Sequence, residues 1–382
     1  MDRSKHVLLD VAKGVYLDDW RIDSAHTGHP GDWSVSTRRL RGGLSDGVDV
    51  VTLDNGHLSV DILPTRGMGL WRGECQGLRL GWDAPVSLPV HPKMVDLHRR
   101  GGIGWLDGFN EWLCRCGLSF LGPPDADDGT TLHGRIANLP AHRVWLEIDN
   151  HERTLAVVGV IEESSLFETR LQLISRVQTV WDTGVIQIVD EIVNVGGTPA
   201  EVELLYHINN GPPFLGDGAT CVAAFETMAP RDPRAAEGIA DWSRFAGPDP
   251  EYTEQAYFFQ PLANDDGQTS VLLKNAAGDA GLSVQFERDS LPYFVLWKNT
   301  RAEADGYVCG LEPATCLPNT RTFEREQGRV ITLEPGQSQT CRLNLAVHTG
   351  ANEVAAQVET IEKIQRSVQP KIHSEPITNW SP

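Results

Sequence analysis

Long apolar runs are missing from this chain. Nothing approaches the ~18 consecutive apolar residues that a membrane span requires. At the N-terminus, Met1 to His6 makes a basic start, but Val7-Leu8-Leu9 is too short for a signal-peptide core and Asp10 ends it. The expectation is a cytoplasmic protein with no membrane partner. Positive charge is also scarce: 33 Lys and Arg stand against 52 Asp and Glu, a net charge of -19. Such a chain repels phosphate backbones unless a local patch overrides the mean field. The one dense basic stretch, Arg38, Arg39 and Arg41, is short and followed by Asp46 and Asp49, so no nucleic-acid partner is expected. Paired cysteine motifs are absent. The seven cysteines are an odd number, and Cys114 and Cys116 form a C-x-C that is too tight for the usual zinc pairing. Free, buried thiols in a reducing compartment are the reading. Helical periodicity is sparse, and there is no fixed-period repeat or low-complexity block.

What is there is a two-residue alternation of apolar and polar residues, the period of half-buried strands. It predicts strands at 48–53, 57–63, 143–148, 154–161, 168–175 and 185–193, then at 201–207, 281–287, 294–297, 329–333 and 340–348. In the segment 281–287, Leu282, Val284 and Phe286 face one way, and Ser283, Gln285 and Glu287 the other. Asp54-Asn55-Gly56 reads as a tight hairpin in which Asn-Gly supplies positive φ angles. One helix is clear, 353–366, with Val354, Val358, Ile361 and Ile364 near a 3.6-residue repeat and Asn352 as its N-cap. It is expected on the outside of the sheets. Residues 73–102 and 228–261 read as irregular, and the polar tail after Pro370 as mobile or docked as an extended arm. Strand following strand predicts an all-β fold, a large antiparallel β-sandwich with few short helices and a C-terminal helix. A single domain over 1–382, with its core at about 45–350, is the expected organisation.

Polar residues meet turns in a few places. Leu132-His133-Gly134-Arg135 puts an imidazole beside a guanidinium, although a lone His is more often a structural hydrogen-bonder. Tyr206-His207-Ile208-Asn209-Asn210 ends a strand at Gly211-Pro212. Three buried polar side chains without partners would cost about 1–3 kcal/mol each, so the protein or a polar ligand must satisfy them. Gly310-Leu311-Glu312-Pro313 holds a carboxylate at a strand end before a proline, a reasonable general base, though a lone one is more often a surface group. Trp297-Lys298-Asn299 sets an indole beside a cation and an amide, a combination that suits a sugar as well as it suits a core Trp next to a surface Lys. Arg66 after a strand, and Trp105, Asp107, Asn110 and Glu111 farther on, mix aromatic, amide and charged groups in the same manner.

Taken together, these residues resemble the galactose mutarotase (aldose 1-epimerase) superfamily, and a bacterial branch of it. His133-Gly134, His207 and Glu312-Pro313 follow the order of that family's short motifs across most of Val48 to His348. The resemblance implies the galactose mutarotase-like supersandwich, a small-molecule sugar substrate, no cofactor and no metal. It also implies a mechanism: Glu312 as general base on the anomeric hydroxyl, and His207 as acid on the ring oxygen. His133 would hydrogen-bond a hydroxyl or share the acid role. Arg66 or Arg135 would hold the sugar, with Asp107, Asn209, Asn210, Trp297 and Lys298 as further contacts and Asp217 or Asp107 as the family's sugar-binding Asp. Arg135 and Lys298 point to an acidic or oxidised sugar. The competing readings are an isomerase or lyase on an acidic or keto sugar, a metal enzyme using His133, His207 and Glu312, and a non-catalytic carbohydrate-binding protein.

Overall fold

The computed structural model describes residues 3–16, 18–27, 31–366 and 368–382; Met1 and Asp2 of the basic N-terminal start lie outside them. Among these residues, two sheets of ten and fourteen strands form. Pairing is antiparallel throughout except where Lys371–Ile372 runs parallel to Phe225–Pro230. The sheets stack face to face. Leu146, Leu173, Ile188 and Leu345 of the smaller sheet share one apolar cluster with Ile62, Leu113, Leu204 and Ile208 of the larger. The fold is a large antiparallel β-sandwich, as the alternation predicts.

The predicted strands recur with shifted ends: Thr154–Ser164, Val185–Asn194, Ala200–Asn210 and Ser338–His348 are longer than their alternating cores. Leu282, Val284 and Phe286 are buried as one face of Gly281–Glu287. Both ends of the 228–261 stretch are strands, Phe225–Pro230 and Gln255–Pro261, each finishing on a proline, where a missing N–H costs no ladder bond. A short strand, Leu78–Leu80, interrupts the other irregular stretch. The sheets also start earlier than residue 45, because Arg3–Asp10 pairs with Arg143–Asp149 and Ser34–Arg39 with Asp49–Asp54.

Two local expectations need correction. Asn55 does not take a positive φ in its hairpin; Gly56 alone does (φ 90°). Asn55 is instead buried, and its amide donates to Thr179 Oγ1, Val180 O and Thr183 O of the facing sheet, tying the two layers together. The C-terminal helix runs Ala351–Gln365, and its N-cap is Gly350 rather than Asn352, which falls inside the first turn. Glu353 accepts from the Thr349 N–H there and supplies the cap contact. Val354 and Ile361 pack on Leu272, covering the outside of the ten-stranded sheet. The tail is docked: beyond Lys371–Ile372, Trp380 is buried and its carbonyl accepts from Asn319.

One buried ion pair crosses the sandwich. Arg115 donates through Nε and Nη2 to the Asp190 carboxylate of the facing sheet, and the Tyr206 hydroxyl donates to the same group at 2.8 Å. Arg115 thus points into the sandwich. Its neighbours Cys114 and Cys116 point the other way, into a second apolar cluster with Trp82, Trp105, Phe109, Leu121 and Leu205. That outer face of the larger sheet is where loops close over the strands.

Candidate active site

Strand register builds the site. Ala200–Asn210 pairs with Val308–Ala314 so that Ile208 faces Leu311 and Asn209 faces Gly310, which sets His207 directly across from Glu312. Such opposed residues on one face are near neighbours. His207 Nε2 and Glu312 Oε1 lie 3.2 Å apart, both nearly closed to solvent. They are not aligned as a hydrogen bond, so Oε1 of Glu312 has no donor. The strand carries on past Pro313 to Ala314, so Glu312 lies within it rather than at its end. On the far side of Val308–Ala314, the strand Tyr293–Asn299 pairs Val295 with Glu312 and Trp297 with Gly310, which places the indole on the same face.

Gly310 makes the approach possible. A Cβ at this position would sit 2.2 Å from Glu312 Oε1 and 3.2 Å from His207 Cε1. The His133-Gly134 motif has a similar origin. Both residues take left-handed angles (φ 59° and 70°), and a Cβ on Gly134 would lie 2.3 Å from the Gly117 carbonyl. The His133 backbone is clamped, its N–H donating to Gly122 O and its carbonyl accepting from Gly117 N.

Each imidazole has one nitrogen fixed. Nδ1 of His207 donates to Asn209 Oδ1 at 2.6 Å, and the Asn209 amide donates to the Glu111 and His207 carbonyls, which orients it as an acceptor. Nδ1 of His133 donates to the Leu121 carbonyl at 2.8 Å. The two rings stand edge to face with centroids 5.8 Å apart, and His207 is boxed by Phe109 and Trp297 at 5.0 and 5.2 Å.

Burial, helped by the Cys116 sulfur, raises the Glu312 carboxyl well above its ordinary value, with His133 pulling the other way. Burial and the charge on His133 push His207 down to about 3, against the bond to Asn209. Burial also opposes a charge on His133, but Cys116, the Leu121 carbonyl and Glu312 outweigh it and hold it at about 9. Burial thus disfavours charge on both members of the His207–Glu312 pair.

Around the pair opens a cleft of about 420 Å³, within the ~300–1,000 Å³ of small-molecule sites. Trp82, Trp105, Phe109 and Trp297 supply aromatic walls, and His133, His207, Arg231, Glu254, Asn299, Asp305 and Glu312 supply the polar lining. Nε1 of Trp105 is buried without an acceptor. No group of three or more His, Cys, Asp or Glu among the described residues is arranged to hold a metal ion.

The family model described as Domain of unknown function (DUF4432) matches residues 45–347. A solved structure from Klebsiella pneumoniae subsp. pneumoniae, provisionally named an aldose 1-epimerase, is similar at 34% identity and a TM-score of 0.96, covering 98% of this chain and 99% of that one. The chain belongs to the DUF4432 family. A galactose mutarotase-like protein from Clostridium acetobutylicum shares its fold at 14% identity (TM-score 0.55, covering 87% of this chain and 99% of that one). Galactose 1-epimerase from Lactobacillus acidophilus does so at 13% identity (TM-score 0.54, covering 83% and 99%). No curated protein matches the sequence.

Of the residues singled out in the sequence, this DUF4432 chain brings His133, His207, Glu312 and Trp297 together with Trp105 and Asn299. The others lie elsewhere. Arg66 is buried and spends its donors on Glu111, Val90 O, Asn138 and Gly108 O, so it anchors the loop that carries Phe109 instead of touching a ligand. Arg135 lines a separate polar cavity beside Ser119 and Arg321. Asp107 accepts from Arg99 and Arg100 at 2.8 and 2.7 Å. Asn209 sits behind His207, and Asn210 accepts from the Trp112 indole. Lys298 projects away from Trp297, and its ammonium donates to the carbonyls of Asp241, Trp242 and Arg244. Asp217 is exposed outside the cleft.

Sequence reading missed the Arg231–Glu254 pair. Glu254 accepts from Arg231 at 2.9 Å and from the Trp297 indole at 2.7 Å, which fixes the indole plane at the cleft wall. Both residues lie in the stretch read as irregular, and a carboxylate immediately before the strand Gln255–Pro261 was the signal that could have found them.

Proposed function

We propose that this cleft exchanges the anomers of a sugar by acid/base ring opening, as an aldose 1-epimerase. The observation that carries the reading is the opposed His207–Glu312 pair, 3.2 Å apart under aromatic walls with an unsatisfied carboxyl oxygen. Anomer exchange needs one group to take the hydroxyl proton and another to give one to the ring oxygen. A carboxyl and an imidazole opposed at 3.2 Å offer the two roles. In this reading Glu312 is the base and His207 the acid, and the Asn209 acceptor supports the imidazolium. Each role contributes about 10²–10⁴-fold. His133, charged and across from His207, is placed to hydrogen-bond a hydroxyl or the oxygen that gains charge. The 34%-identical Klebsiella protein, provisionally given the same activity, supports the reading.

The substrate in this reading is a neutral aldose. The expectation of an acidic sugar rested on Arg135 and Lys298, and both lie outside the cleft. The guanidinium that does line it, Arg231, is held between Asp232 and Glu254, while Asp305 adds a further carboxylate. An anionic sugar would enter against that field.

The test is anomer exchange followed by polarimetry and NMR on neutral and anionic sugars side by side. The reading requires catalysis by the wild-type protein and its loss in Glu312→Gln. Retention of ligand affinity with no catalysis by wild type would select a binding protein, and a covalent product other than the anomer would select another isomerase or a lyase.

A further inference from the structure

Glu203 stands on the same strand and the same face as His207, one pleat beyond Leu205, and takes no part in the acid/base pair. It is fully buried. Its Oε2 accepts from the Leu121 N–H at 2.8 Å, while Oε1 has no partner. The carbonyl of the same Leu121 accepts from His133 Nδ1 at 2.8 Å. A carboxylate on the strand floor is thereby joined through one residue to the imidazole in the cleft.

The neighbouring carboxylate shows what a purely structural clasp looks like. Glu163, from the facing sheet, grips the start of the same loop with both oxygens: Oε2 accepts from Leu118 N, and Oε1 from the Ser119 N–H and hydroxyl. Nothing on it is left over. Glu203 leaves an oxygen orphaned in the interior, a desolvation cost that a Leu of similar size would avoid. Burial raises the Glu203 carboxyl to about 7, with the Leu121 bond acting against it and Glu324 adding to it. Protonation there lessens the cost of burial. A group kept in the interior at a stability cost fits a task at the site.

We propose that Glu203 is a positioning residue for His133: by holding the Leu121 N–H it sets the carbonyl that fixes the ring's tautomer and plane. The link between Glu203 and His133 stands on geometry alone; its effect on rate rests on the proposed anomer exchange.

The experiment compares Glu203→Leu, Glu203→Asp and Glu203→Gln, each checked for folding by circular dichroism and thermal unfolding. ¹⁵N-histidine NMR reads the His133 ring, assigned through His133→Gln. Leu removes the acceptor, and Asp withdraws it by one methylene while keeping the charge. Gln preserves a carbonyl at the same reach. The slowly exchanging Hδ1 signal of His133 is expected in wild type and Glu203→Gln and lost in the other two. Their kcat is expected to fall about tenfold at unchanged KM, with Gln restoring it, as for loss of one oriented hydrogen bond. Should Leu fail to fold, Asp carries the test. An unchanged His133 signal in folded Leu or Asp variants overturns the proposal. If the signal is lost while even wild type shows no anomer exchange, the positioning role stands and the proposed activity falls.

Discussion

Replacing Gly310 by alanine tests the site more narrowly than removing a reacting group. The added Cβ would stand 2.2 Å from Glu312 Oε1, where ordinary contact begins at 3.4 Å, so the carboxylate must retreat by about 1 Å. It cannot retreat toward His207, because Oε1 already lies 3.2 Å from that ring's Nε2. The backbone tolerates alanine, since Gly310 is not among the residues with positive φ. Alanine in a strand regains about 0.5–1 kcal/mol of backbone entropy. Crowding in a packed site costs about 1–3 kcal/mol, so net stability falls by about 2.5 kcal/mol or less. Rate should suffer far more, because a misplacement of about 1 Å at a proton-transfer site costs about 10²-fold. Polarimetric anomer exchange and thermal unfolding on the same preparation separate the two effects. A folded Gly310→Ala protein that keeps its rate within threefold of wild type would refute the claim that the His207–Glu312 approach depends on the missing side chain.

Asn209→Leu removes the acceptor for His207 Nδ1 and frees the tautomer; a loss of about 1.5–3 kcal/mol of oriented bonding lowers kcat roughly 10- to 100-fold, read by steady-state kinetics. Arg115→Met leaves the buried Asp190 with the Tyr206 hydroxyl but no cation, so denaturant unfolding should show a loss of about 3–5 kcal/mol. Lys298→Met strips a donor from three backbone carbonyls and should lower stability by about 1–3 kcal/mol, with no change in the preference between neutral and anionic sugars. The Glu312 carboxyl is raised in the fold, so the native state holds more protons than the unfolded chain above pH about 4.5, and its burial lowers stability as pH rises. Glu312→Gln should therefore unfold at a higher temperature than wild type at pH 8, with the difference shrinking toward pH 4.5.

Strands with one wet face, such as Arg143–Asp149 and Arg170–Val180, carry the alternation that the sequence shows. Leu113–Leu118 was missed as a strand and Val308–Ala314 was read only as a strand end at Glu312, because every residue in them is buried, one face against the sandwich and the other beneath loops. Covering both faces erases the alternation. Those two strands flank His207, so the sheet around the site was the part of the fold hardest to read.

The proposed reacting groups were legible as short motifs, His133-Gly134, His207 and Glu312-Pro313, because glycine and proline beside a polar side chain leave a local mark. The long polar side chains were not. Arg66, Arg135 and Lys298 carry the same donors whether they meet a sugar or a carbonyl, and nothing within a few residues of each says which. By itself the sequence determined a period-two, all-β chain with two imidazoles and a carboxylate in a set order. Tertiary structure alone decided that His207 falls opposite Glu312 and that Arg231 and Glu254, rather than Arg135 and Lys298, line the cleft. Register and loop closure join residues a hundred positions apart, and alternation along one strand carries no information about its partner.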